Sequence, residues 1–199
     1  MKTAVVYRSK TGFAERYARW ISEELDGELI DAQTIKIDAL ADYDTIVYVG
    51  GIYMGRVKGF SQIKKNYTKL ADKKIVLVGV GALAPDHHSI TINMTEVNLS
   101  APMRETVKWF YLRGGYDFTK IRGVDRIIMR NVVQVRKKYN HAATDQDAAD
   151  MMNAFYSGTK LDYTDRDEIE PIIDYILDEY DDDDEHEDDD EYEDEQEDD

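Results

Sequence analysis

The chain predicts an α/β domain: a doubly wound, five-stranded parallel sheet with helices on both faces, followed by a disordered acidic tail. Short apolar runs alternate with longer helical patterns, the order expected of a parallel sheet whose connections are helices. Three of the runs are continuously apolar rather than alternating, as in strands buried on both faces. At 199 residues the chain is long enough for one sizeable core and short for two. The domain is expected to span 1–180 and the tail 181–199.

The expected strands are Ala4–Tyr7, Glu28–Asp31, Thr45–Gly50, Lys74–Val80 and Val107–Leu112. In the first helix Ala14, Tyr17, Ala18, Ile21 and Leu25 recur on one stripe with a period near 3.6, Glu23, Glu24 and Asp26 lie outside it, and Gly27 ends it. Further helices are expected over about 57–70, 119–139, 145–155 and 165–180. Two doubly wound topologies remain once right-handed crossovers are required, and in both a ligand binds beyond the carboxyl ends of the strands. That directs attention to the loops starting at Arg8, Gly50, Val80 and Gly114.

Composition bounds the function. The net charge of −17 belongs to the tail: sixteen of the 42 acids lie in Asp181–Asp199, leaving 26 acids against 25 Lys and Arg in the body. Such a tail cannot bury enough apolar surface to fold. There is no cysteine, which excludes disulfides, thiolate catalysis and zinc–sulfur sites. No leader-like segment opens the chain and no apolar run approaches the ~18 residues of a membrane span, so a cytoplasmic protein is expected. Basic residues gathered on one helix, without a recognition motif and beside a repelling tail, argue against nucleic acid.

The first loop, Ser9-Lys10-Thr11-Gly12-Phe13-Ala14, has the logic of an anion site: two hydroxyls, a glycine for close backbone approach and the N-terminus of a helix. Plain helix capping by Ser9 and Thr11 is the competing reading. In the second, Gly51-Ile52-Tyr53-Met54-Gly55, glycines bracket side chains that suit a planar ring, with Tyr53 placed to stack. The third loop contains Gly79, Gly81 and Ala84 in the spacing of a dinucleotide fingerprint. Pro85 follows instead of a helix, and no acid stands about twenty residues on, so a nicotinamide site is rejected. Val80, Gly81, Ala82 and Leu83 are instead candidates to touch the same ring.

Ser9-Lys10-Thr11-Gly12 resembles the phosphate loop of flavodoxins, with Ala14 where a further hydroxyl residue is usual. The resemblance covers residues 1 to about 175 and implies an FMN cofactor. The loop at 52–55, the stretch Leu112-Arg113-Gly114-Gly115-Tyr116-Asp117 and the segment Leu161-Asp162-Tyr163-Thr164 are similar to the branch containing menaquinone-dependent protoporphyrinogen dehydrogenases. This implies an FMN-dependent oxidoreductase passing electrons to a quinone, or else a carrier serving a redox partner protein. A scaffold without cofactor is a third reading. No residue stands out as general acid, base or nucleophile.

The helix expected over 119–139 carries Lys120, Arg122, Arg126, Arg130, Arg136, Lys137 and Lys138 against Asp125, with Ile121, Val124, Ile128, Val132 and Val135 on one stripe. It could lie on an anionic membrane surface, pack its stripe on the sheet, or receive the acidic tail. His87-His88 lack metal-ligand spacing and read as solvated.

Overall fold

A computed structural model describes residues 1–83, 94–139 and 146–184. Five parallel strands form the sheet: β1 (Thr3–Arg8), β2 (Glu28–Asp31), β3 (Thr45–Tyr53), β5 (Lys74–Gly81) and β6 (Lys108–Arg113), ordered β2-β1-β3-β5-β6. This is the doubly wound order of the flavodoxin type, whose winding direction reverses between β1 and β3. Register aligns Val5 with Val47, Val47 with Val76, and Gly79 with Tyr111.

Each face of the sheet buries a separate apolar layer. Val5, Val47, Val49, Val76 and Val78 pack under α1 (Phe13–Glu24) and α7 (Glu170–Asp184), through Tyr17, Ala18, Ile21, Ile172 and Ile176. Ala4, Val6, Ile46, Tyr48, Ile75 and Leu77 pack against Phe60, Ile63, Leu70, Met103 and Val107 on the other side. Neighbouring strand residues thus point to opposite layers and both are buried, which explains the continuous apolar runs.

The second expected helix is largely absent. Arg56–Val57 form β4, which turns back antiparallel on β3, and only Ser61–Lys65 (α2) is α-helical before a 3₁₀ turn at Tyr67–Lys69. The reason is visible in the sheet: β3 runs three residues past Gly50 and a tight turn returns the chain beside it, so Val57 is a buried strand residue. Residues 94–98 (α3) and Met103–Thr106 (α4) are short helical segments leading into β6.

The basic helix, α5 (Val124–Tyr139), starts five residues later than expected because Gly123 takes a left-handed φ of 58° just before it. Among its described stripe residues, Ile121 packs on a small separate core and not on the main sheet. Val124 is 71% exposed and Ile127 53%, and the helix contacts α6 (Gln146–Ser157) instead. A two-stranded antiparallel sheet absent from the sequence reading, β7 (Gly115–Asp117) with β8 (Lys160–Asp162), supports it over a small core of Phe118, Met151, Ala154 and Phe155. This layer is fastened to the main sheet where the Gly114 N–H donates to the Gly81 carbonyl at 2.5 Å and the Tyr163 N–H to the Gly114 carbonyl at 2.8 Å. Helix α7 carries on to Asp184, past the expected boundary at 180; the rest of the acidic tail and His87-His88 lie outside the described residues.

Candidate cofactor site

At the carboxyl ends of β1, β3 and β5 the two layers enclose a cleft of about 830 Å³, open mouth included. It lies at the reversal between β1 and β3, where a doubly wound sheet receives its ligand.

Its floor comes from the first loop. Ser9, Lys10, Thr11, Phe13 and Ala14 line it, with Phe13 and Ala14 offering backbone because their side chains are buried in the core below. Gly12 is the N-cap of α1 with φ +102°, a conformation that favours glycine. No side chain caps this helix. The Ser9 hydroxyl oxygen accepts instead from the Gly12 N–H at 3.0 Å, which curls the loop tightly and leaves the first-turn amides of α1 facing the cleft. The capping reading of Ser9 and Thr11 is thereby not what the structure contains.

One wall is Gly51, Ile52 and Tyr53 from the end of β3, and the back is Val80, Gly81 and Ala82. Met54 (78% exposed) and Gly55 form the β3–β4 turn outside the cleft. Leu83 also stands off the lining; its carbonyl accepts from the Tyr111 hydroxyl at 2.7 Å, a bond that holds the third loop down. The glycine spacing of this loop serves packing: a Cβ on Gly79 would come within 3.0 Å of both Trp109 and Ile52, and one on Gly81 would lie 2.5 Å from the Tyr111 hydroxyl.

The opposite wall starts at the Gly114 loop to which the strand ends pointed, but none of its residues was named from sequence as a cofactor ligand. Gly115, Tyr116, Asp117, Ile121, Asp125 and Met129 face the cleft from the β7–α5 segment, and Arg8 and Lys58 join from the sheet side. A signal existed, since Asp125 is the lone acid in the basic stretch. It pairs with Lys10 and accepts from the Tyr53 hydroxyl at 3.4 Å. Burial opposes the charge on Asp117, yet hydrogen bonds from Thr119, the Lys120 ammonium and the Lys120 N–H together outweigh it and hold the carboxyl below its ordinary range. Lys58 is pushed the other way: burial first, then the like charges of Lys10 and Arg8, lower its pKa. Electrostatically the sheet side of the cleft is therefore cationic and the lid side mixed.

The donor set fits a phosphorylated flavin. Uncapped helix amides, the Ser9 and Thr11 hydroxyls and two lysines suit a phosphate. Tyr53, Ile52, Met129 and the Val80–Ala82 backbone form an apolar slot suited to a planar ring. Among the described residues no cluster of side chains could hold a metal ion.

Residues 4–143 match the family model for the flavodoxin domain. The chain belongs to the flavodoxin family. FMN is the cofactor of such a domain, and electron transfer to redox partners is its role. Among solved structures, an archaeal flavodoxin is 14% identical, covering 79% of this chain and 96% of its own with a TM-score of 0.38. The two-electron reduced flavodoxin of Megasphaera elsdenii is 19% identical, covering 55% and 84%, also at 0.38. A flavodoxin, WrbA-like protein from Agrobacterium tumefaciens is 20% identical over 55% and 82%, again at 0.38. A search of curated proteins found no match. No helix among the described residues is long and apolar enough to cross a membrane.

Proposed function

We propose that this flavodoxin-family chain is an FMN-dependent oxidoreductase that acts on an organic substrate and passes the electrons to a quinone, in the manner of protoporphyrinogen dehydrogenases. The bound cofactor supplies the redox chemistry. The chain's own residues would bind and orient it: Ser9, Thr11 and the amides of Gly12 to Ala14 would hold the phosphate, and Tyr53, Gly51, Ile52 and Val80 to Ala82 would hold the ring. Ile121 and Met129 exclude water from the lid side.

The observation that carries the reading is a second cleft of about 700 Å³ that shares Tyr53 and Lys58 with the first and runs on past Arg56, Phe60 and Lys64. A pure carrier needs an exposed cofactor edge and no adjoining space, whereas a substrate needs somewhere to lie. The exposed Val124 and Ile127 beside Arg126 and Arg130 on α5 suit attachment to an anionic membrane surface, where quinones reside. A cytoplasmic, membrane-peripheral protein follows from that reading.

The test is steady-state turnover of the FMN-loaded protein with a porphyrinogen and a menaquinone analogue. Quinone-dependent oxidation above the rate with free FMN supports the enzyme. Absence of turnover, with rapid electron exchange to a partner protein, replaces it with the carrier.

A further inference from the structure

We infer that Lys120, from the segment joining β7 to α5, is the cationic ligand of the cofactor's phosphate, replacing across space the side-chain donor that Ala14 removes from the first loop. The inference rests on the reading that the first loop holds that phosphate. It concerns a residue 109 positions away from Thr11, in a layer the loop's own sequence does not mention.

Three observations converge on Lys120. Its Nζ donates to the Thr11 carbonyl at 3.0 Å, and it lies 3.6 Å from where a Cβ on Gly12 would stand, so the ammonium sits directly over the turn that opens α1. An ammonium has three donors, and a single bond to Thr11 leaves two for an incoming oxygen. Its countercharge is loose: Asp117 Oδ2 is 3.6 Å away, and the Lys120 side chain remains 57% exposed and able to adjust.

The other lysine at the loop is differently placed. Lys10 is paired with Asp125, so its charge is already answered by a carboxylate from the lid. Alanine at position 14 is buried and contributes no hydroxyl, leaving Ser9 and Thr11 as the only side-chain hydroxyls of the loop, and the Ser9 oxygen already receives the Gly12 N–H. Lys58 lines the cleft from the sheet side, whereas Lys120 is bonded to the Thr11 carbonyl itself, so a dianionic phosphate placed at the first-turn amides of α1 would find its ammonium at the loop with donors to spare. Phosphate recognition is then divided between the sheet and the lid, and it requires the β7–β8 layer to be docked.

The test is titration of the apo protein with FMN and with riboflavin, which lacks the phosphate, for the wild type, Lys120→Gln and Lys120→Arg. The expected result is a preference of the wild type for FMN, a loss of about tenfold in FMN affinity in Lys120→Gln, the step that corresponds to 1.4 kcal/mol, unchanged riboflavin binding, and substantial recovery in Lys120→Arg. Riboflavin binding also reports that the variants are folded. A Lys120→Gln protein that keeps the wild-type preference for FMN overturns the inference and leaves the phosphate-loop reading standing. Equal weakening for both ligands overturns it too, since the lysine would then only dock the lid. A wild type that does not distinguish FMN from riboflavin overturns the phosphate-loop reading and the inference with it.

Discussion

The Tyr17 hydroxyl on α1 lies 2.8 Å from Glu168 Oε2, a pair 151 residues apart that joins the first helix to the 3₁₀ turn leading into the last. The same carboxylate oxygen accepts from the Arg113 N–H at 3.2 Å, and the Tyr17 oxygen lies 2.7 Å from the Arg113 carbonyl and accepts from the Asp165 N–H at 3.1 Å. Tyr17 is wholly buried, and burial pushes its hydroxyl far above the ordinary tyrosine value, so it stays a donor. One side chain thereby closes α1, β6 and the approach to α7 together.

Tyr17→Phe keeps the ring and removes this junction, leaving buried polar groups short of a partner. The expected cost is about 1–3 kcal/mol, read as a lower urea midpoint with an unchanged m-value. A midpoint equal to wild type would show that Glu168 and Arg113 satisfy each other without it.

Tyr53 stands on the cleft wall with its hydroxyl toward Asp125. If it stacks on the ring, Tyr53→Ala weakens FMN and riboflavin alike, by about 2- to 12-fold for a lost aromatic contact of about 0.5–1.5 kcal/mol. Phosphate-loop changes should instead separate the two ligands. A Tyr53→Ala protein that loses only FMN would remove Tyr53 from the ring and assign it to the phosphate end.

Gly81 is required by its neighbour. A methyl group there would meet the Tyr111 hydroxyl, which must stay in place to hold the Leu83 carbonyl. Gly81→Ala is expected to destabilise the fold by about 1–3 kcal/mol, the usual cost of overpacking, and to loosen the third loop. Faster amide exchange after residue 81 would report the loosening. Tyr111→Phe should reproduce the loosening with little clash, so exchange in both variants separates the hydrogen bond from the steric effect.

Acid should undo the fastening of the lid. Burial disfavours the charge on Asp162, but hydrogen bonds from Lys160, Thr164 and Arg16 outweigh it and hold the carboxyl well below the carboxylate range. A carboxyl depressed on folding stabilises the native state above its unfolded pKa of about 4, and that contribution is lost as pH falls through the folded value. The melting temperature of the wild type should therefore decline below about pH 4, and that of Asp162→Asn should be lower at neutral pH and decline less steeply. Parallel curves for the two proteins would show that Asp162 contributes no pH dependence.

What could be read from the sequence follows from local periodicity. Apolar runs such as Thr45–Gly50 and the 3.6-period stripe from Ala14 to Leu25 depend on neighbours a few residues apart, and they placed the five main strands, α1 and the loops at Ser9, Gly51 and Val80. The choice of a doubly wound sheet followed from them, and so did the place of the ligand, because carboxyl ends of parallel strands share one edge. Val57 shows the opposite case: its local pattern suits a helix, and pairing with Ile52 made it a strand.

The sequence pointed to the Gly114 loop, but which residues of the far wall face the cleft was decided by tertiary structure. Residues 115–129 face Ser9, Lys10 and Thr11 because β7 pairs with β8 and Gly114 bonds to Gly81, contacts between segments tens of residues apart that leave no periodic trace. The sequence by itself determined a parallel sheet with a Ser9–Gly12 loop at the carboxyl end of its first strand. Which cations and carboxylates complete that loop depended on long-range pairing, since hydrogen bonds and charges act through space and a linear pattern records only the neighbours along the chain.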